Sequence, residues 1–156
     1  MAERGLTYSD AAAAVAARFL QNNWGGKGIL LGGIPGVPPA EVVILGGGTV
    51  GMCATSAFTG LGAHVTVIDK DVNVLQRVYN RFSNVVTMIS TKRNIERAIA
   101  YADVVVGAVL ITGARTPILI TREMMQAMKP RSVFIDVSID QGGCAETSRP
   151  TSHDHP

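Results

Sequence analysis

The run V-V-I-L-G-G-G-T-V-G over residues 42–51 limits what this chain can fold into more than any other stretch. Four consecutive apolar residues, mostly β-branched, suit a strand buried on both faces. Gly46, Gly48 and Gly51 then follow the G-x-G-x-x-G spacing, ahead of a helix-compatible stretch that starts with Thr49 and Val50. Each glycine answers a separate need. Gly46 permits a tight exit from the strand, Gly48 lets backbone approach a pyrophosphate, and Gly51 lets the helix pack close to the strand. The helix N-terminus adds unpaired N–H groups and partial positive charge, which favour a bound phosphate. The spacing alone is a weak signal, and the strand before it and helix after it supply the context that the motif requires.

The rest of the chain repeats that alternation. Strands are expected at 64–68, 84–89, 103–107 and 132–137, and helices at 49–61, 71–79, 91–101 and 121–128. A Gly- and Pro-containing loop spans 108–120. Such alternation argues for an α/β fold of the Rossmann type: a doubly wound parallel sheet of five strands in the order 3-2-1-4-5, with helices on both faces. Before it, residues 11–20 have high helix propensity, with Ser9 and Asp10 as capping types and Val15, Phe19 and Leu20 on one face. What that face packs on is not readable from the pattern. Glycine and proline crowd residues 25–40 and rule out a long regular element there. A linker is one reading; the repeated Ile and Leu support another, in which part of the segment lies against the sheet. The expected division is a helix within 1–24 and a nucleotide-binding domain over 25–156.

With 156 residues there is room for one domain with a real core. A hydrophobic share of 47% against 17% charged residues is a globular composition. The net charge of +2 is too small to argue for nucleic acid or an anionic membrane. No apolar run approaches the roughly 20 residues of a membrane span. Glu3 and Arg4 and the interruption at Arg18 do not fit a signal peptide. Cys53 and Cys144 lack metal-ligand spacing, so two free thiols in a reducing, cytoplasmic setting are expected.

Asp69 ends the second strand, roughly 20 residues beyond the last motif glycine, where an acid accepts hydrogen bonds from an adenosine ribose. A carboxylate there repels a 2′-phosphate, so NAD is favoured over NADP. Ser90 after the third strand, and Val109 with Leu110 after the fourth, also lie at carboxyl ends of strands, beyond which open α/β sheets bind ligands. Ordinary loop packing would serve equally at these three, and position alone leaves both readings open. After the fifth strand comes I-D-Q-G-G-C-A-E-T-S-R, which places Ile139 and Asp140 toward the same crevice and Arg149 within reach of phosphate or ribose. No histidine is positioned by the sequence to activate Cys144, so an inert thiol is expected. His153, Asp154 and His155 are read as a solvated tail rather than a metal cluster.

These residues carry a family resemblance over most of the chain from Gly25 onward. The stretches G-G-K-G-I-L-L-G-G-I-P-G-V-P-P-A, E-V-V-I-L-G-G-G-T-V-G, L-G-A-H-V-T-V-I-D, A-D-V-V-V-G-A-V-L-I-T-G-A-R-T-P and I-D-Q-G-G-C-A-E-T-S-R-P-T resemble the nucleotide-binding domain of alanine dehydrogenases. That family also holds the alpha subunit of the proton-translocating transhydrogenase. The last stretch is the specific part and points to alanine dehydrogenase.

The resemblance implies NAD-dependent, reversible oxidative deamination of L-alanine to pyruvate and ammonia. Hydride leaves the substrate α-carbon for nicotinamide C4, and water attacks the resulting iminium. It also implies that Asp69 binds ribose, that Ser90 lies near the adenosine, and that Val109 and Leu110 run along the cofactor. Ile139 and Asp140 would stand at the nicotinamide, with Asp140 also catalytic, and Arg149 would be a further cofactor contact.

Three departures from the family pattern are visible. Val74 stands where relatives usually carry a basic residue. The N-terminal helix does not reproduce the family's M-S-E-x-A-G-R, a gap Ser9 fills only if about one turn is deleted. The sequence that builds the family's substrate domain, with its arginine, lysine and histidine, is not in this chain. Two readings follow: the cofactor domain of an alanine dehydrogenase, incomplete for catalysis alone, or a stand-alone dinucleotide-binding module. Transhydrogenase-like exchange between two nucleotides would need a second nucleotide domain. With strand 5 as an open sheet edge, the chain is expected to self-associate, as a homo-oligomer. Sedimentation across a range of concentrations checks this: a monomeric mass at every concentration would count against it.

Overall fold

The computed structural model describes residues 8–21, 26, 28–111, 113–138 and 142–149. Its elements run α1 (Tyr8–Phe19), β1 (Glu41–Leu45), α2 (Thr49–Gly60), β2 (His64–Asp69), α3 (Val72–Arg81), β3 (Val85–Ile89), α4 (Lys92–Tyr101), β4 (Val104–Gly107), α5 (Arg122–Gln126) and β5 (Val133–Asp136). The five strands form one sheet in the order β3-β2-β1-β4-β5, and every neighbouring pair is parallel. The expected topology is the observed one.

The pleat divides the strand residues between two cores. Val42 and Ile44 of β1, Val65 and Val67 of β2 and Val104 and Val106 of β4 face α2 and α3, where Phe58, Leu75 and Val78 meet them. Val43, Leu45, Ile68 and Val105 face the other way, onto Ile95, Ala98 and Ile99 of α4 and Met124 of α5. Burial on both faces is why β1 and β4 read as continuous apolar runs rather than as alternations. Helices that follow β1 and β2 cover one face and those that follow β3 and β4 the other, so the winding reverses between β1 and β4. That reversal opens a crevice at the carboxyl ends of those two strands.

Several boundaries differ from the sequence expectation, and capping explains most of them. Asp71 and Thr91 precede α3 and α4 as N-caps, accepting from Asn73 N–H at 2.8 Å and Asn94 N–H at 3.1 Å. Thr121 caps α5, which covers only five residues rather than the expected eight. Ser9 and Asp10 do not precede α1; the helix already begins at Tyr8, so both lie inside its first turn.

The partner of α1, open at the level of sequence, is this same domain. Ala13, Ala16 and Leu20 join the core beside α2, and Leu20 is fully buried. Residues 28–40 divide as their composition suggests. Leu31 is buried and Ile29 packs on the same core, whereas Leu30, Ile34 and Val37 stay exposed around a tight Ile34–Val37 bridge. No helix among the described residues is long and apolar enough to cross a membrane. Because Leu20 fills the core from outside the expected domain boundary, Leu20→Ala should lower stability by about 2–5 kcal/mol. Urea unfolding measures it, and a loss well under 1 kcal/mol would mean that α1 is not part of the cooperative unit.

Candidate functional site

The carboxyl end of β1 is built from backbone. Gly46 sits at φ +100°, a conformation that a β-carbon would strain, and its N–H donates to the Ile68 carbonyl at 2.8 Å. A β-carbon on Gly51 would lie 1.8 Å from the Gly46 carbonyl oxygen, so only glycine lets α2 come this close to the strand. Gly48 differs: nothing lies within 4 Å of where its β-carbon would be. Gly48 and Thr49 are exposed and Val50 is half-buried. No side chain caps α2, whereas Asp71, Thr91 and Thr121 cap the other three helices of the sheet. The first-turn N–H groups of α2 therefore receive no side-chain cap from Gly48, beside an exposed stretch of the loop.

Asp69 stands beside this loop. Its Oδ2 accepts from Gly47 N–H at 2.8 Å and its Oδ1 from Asp71 N–H at 2.9 Å. Two acceptor sites on the carboxylate remain for a ligand. Ser90 is brought next to it, because its N–H donates to the Asp69 carbonyl at 2.9 Å. Across the crevice, Val109 lies against the glycine loop, 3.2 Å from the β-carbon position of Gly46, and Leu110 is exposed. Gly46, Gly48, Thr49, Val50, Gly51, Asp69, Ser90, Val109 and Leu110 thus share one end of the sheet. Arg149 follows β5 and is exposed. Ile139 and Asp140 lie outside the described residues, as do His153, Asp154 and His155.

Two features escaped the sequence reading. Gly47, outside the G-x-G-x-x-G spacing, is tightly enclosed: a β-carbon there would meet Val74 at 2.7 Å. Val74, one of the departures noted above, thus packs on the loop. Asp136, at the end of β5, gathers four hydrogen bonds from Ser138, Cys144 and Ser148. An acid ending an apolar strand was the available signal, the same one that marked Asp69. A separate open cleft of about 820 Å³ lies at the amino ends of β2 and β3, lined by His64, Arg81 and Asn84 among others, away from the glycine loop.

Comparison with known proteins can now be set beside this geometry. The sequence model of the family described as "Alanine dehydrogenase/PNT, C-terminal domain" matches residues 12–156. The chain belongs to this family. Among curated alanine dehydrogenases, that of Mycolicibacterium smegmatis is 49% identical over 145 residues, which cover 92% of this chain and 39% of that protein. That of Bacillus subtilis is 49% identical over 147 residues, covering 93% and 39%. A solved L-alanine dehydrogenase superposes with a TM-score of 0.91 at 46% identity, over 95% of this chain and 41% of that one. A transhydrogenase from Sinorhizobium meliloti follows at 0.72 and 27% identity, over 90% and 42%. The chain therefore spans about two fifths of the length of the alanine dehydrogenases it matches.

In this member of the family one cysteine is exposed and the other buried. Burial pushes the Cys144 thiol up to about 12, and the negative charge of Asp136 adds to the effect. Cys53 is exposed on α2. At pH 8 only about one Cys144 in 10⁴ would be thiolate. An aromatic disulfide reagent should titrate one thiol quickly in the native chain and the second only after denaturation. Two fast thiols would contradict the packing around Cys144.

Proposed function

We propose that this chain is the NAD-binding part of an alanine dehydrogenase, taking the adenosine ribose on Asp69 and the pyrophosphate on the N–H groups of residues 48–51. The observation that carries the reading is the uncapped N-terminus of α2 with the Asp69 carboxylate held against the same loop by Gly47 N–H. Membership of the family and the alanine dehydrogenase relatives support the choice of cofactor and reaction. When bound, NAD accepts hydride from the substrate; the protein's part is to hold and orient the reactants.

Gly48, open to solvent, allows a phosphate to approach backbone, and the partial positive charge of the α2 N-terminus opposes the phosphate charge. Asp69 accepts the ribose hydroxyls on its remaining lone pairs and repels a 2′-phosphate, which favours NAD over NADP. Ser90 borders the adenosine. Val109 and Leu110 line the path toward the nicotinamide, where Ile139 and the catalytic Asp140 belong by resemblance, with Arg149 as a further contact. L-alanine and pyruvate bind only with a substrate domain present, so turnover by this chain alone is expected to be negligible. The division into a helix within 1–24 and a cofactor unit over 25–156, the homo-oligomer and a cytoplasmic location belong to the same proposal.

Calorimetric titration tests it. NAD should bind, NADP more weakly, and Asp69→Ala should lower NAD affinity about tenfold or more, as loss of hydrogen bonds to a charged group does. NADP binding as well as NAD, or an unchanged Asp69→Ala, would remove the ribose assignment. Alanine-dependent NADH formation by the purified chain would instead refute its dependence on a substrate domain.

A further inference from the structure

The ends of β4 and β5 carry a polar junction that the proposed reaction does not use. Asp136 is the last residue of β5, and each of its carboxylate oxygens accepts two hydrogen bonds. Oδ1 accepts from Ser138 N–H at 3.0 Å and Ser138 Oγ at 2.5 Å. Oδ2 accepts from Cys144 N–H at 2.7 Å and Ser148 Oγ at 2.5 Å. Gly143 N–H closes the same loop on the Ser138 carbonyl at 3.0 Å. Ser138 and Cys144 flank Asp140 in sequence, and Ser148 precedes Arg149.

The junction also joins the loop after β5 to the loop after β4. Leu119 and Ile120 donate their N–H groups to the Cys144 carbonyl at 2.8 and 3.1 Å, and Glu146 N–H donates to Ile120 at 3.0 Å. Glu146 Oε2 accepts from Arg122 N–H at 2.7 Å. At the sheet itself, a β-carbon on Gly107 would lie 2.3 Å from Cys144 Sγ, so the sulfur rests directly on the end of β4. Residues 119–122 and 144–146 are thus tied together, and Asp136 attaches them to the strand edge. On the opposite side of the crevice, the glycine loop, Asp69 and Ser90 are hydrogen-bonded to β2 and to one another, and the four donors to Asp136 are other groups.

We infer that Asp136 is a positioning residue for the nicotinamide half of the crevice, holding Ser138, Cys144 and Ser148, and through Cys144 the end of the loop after β4, while Asp69 holds the adenosine half through different hydrogen bonds. This rests on the NAD reading proposed above. The two supports are distinct, so the two halves of the ligand should be separable by mutation.

Asp136→Asn is the informative variant. An amide offers one acceptor oxygen and one NH₂. In either flip the NH₂ faces a backbone N–H, that of Ser138 or that of Cys144, and neither can turn into an acceptor. Asparagine therefore fails here despite its matching shape. Ser148→Ala removes a single hydroxyl donor and should give a smaller effect in the same direction.

Three measurements on the whole chain test this. Calorimetry with ADP-ribose should give an affinity within about twofold of wild type, because Asp69 and Asp136 share no hydrogen-bond partner among the described residues. NADH titration followed by dihydronicotinamide fluorescence should show that Asp136→Asn loses the emission enhancement of the bound ring. Amide exchange should speed up at Cys144 by about tenfold or more, with β1 and β4 amides unchanged. ADP-ribose affinity falling in step with the NADH signal would overturn the inference, as the sign of a merely structural role. So would an unchanged emission, or an unchanged Cys144 exchange rate. A wild-type chain that binds neither ligand would remove the NAD reading and this inference with it, an outcome distinct from a failure seen only in the variant.

Discussion

The close approach of α2 to the end of β1 is the contact on which the rest of the structure depends. The Gly46 carbonyl occupies the space that a side chain on Gly51 would need. Gly46 N–H is anchored to Ile68 of β2, and its α-carbon faces the Ala108 carbonyl after β4, where a β-carbon would come within 2.8 Å. The end of the central strand is thus wedged between its two neighbours, β2 and β4. A methyl group at either glycine would have to push rigid backbone aside, so the cost would reach or exceed the roughly 1–3 kcal/mol of ordinary overpacking. The geometry that opens the crevice and the geometry that joins the two helical layers are the same geometry.

That constraint leaves the loop little room to adjust, and the neighbouring side chains follow from it. Val74 rests on Gly47 and is half-buried with Val67 and Val78 around the same glycine. A long cationic side chain at position 74 would leave this contact and turn toward solvent. Valine at position 74 therefore supplies apolar packing against the loop where a cation would supply surface charge. Asp69 holds that loop from its other side, through Gly47 N–H.

How much of this could be read from sequence depends on whether the cause was local. Strands β1 and β4 were legible because burial on both faces leaves an unbroken apolar run, and strand order followed from alternation and handedness. The partner of α1 was not, because the spacing of Ala13, Ala16 and Leu20 fixes a buried face and not what covers it. Ser9 and Asp10 misled as caps because capping types also occur within a first turn. Asp69 was legible through its spacing from Gly51. Asp136 was not, because its donors at Cys144 and Ser148 come from a loop that folds back on itself, and no spacing rule announces such a return.

Placed side by side, Asp69 and Asp136 are the same device used twice. Each ends a parallel strand, V-I-D in β2 and F-I-D in β5. Each has Oδ1 accepting the N–H two residues ahead, from Asp71 and from Ser138, which fixes the first turn after the strand. Each has Oδ2 accepting an N–H from a distant loop, Gly47 in one case and Cys144 in the other. Charge-assisted bonds of this kind are stronger than neutral ones and leave little freedom of orientation. Each carboxylate is met by backbone N–H groups at its own strand end. Each aspartate thereby fixes the turn that follows its own strand and ties a second loop to that strand end.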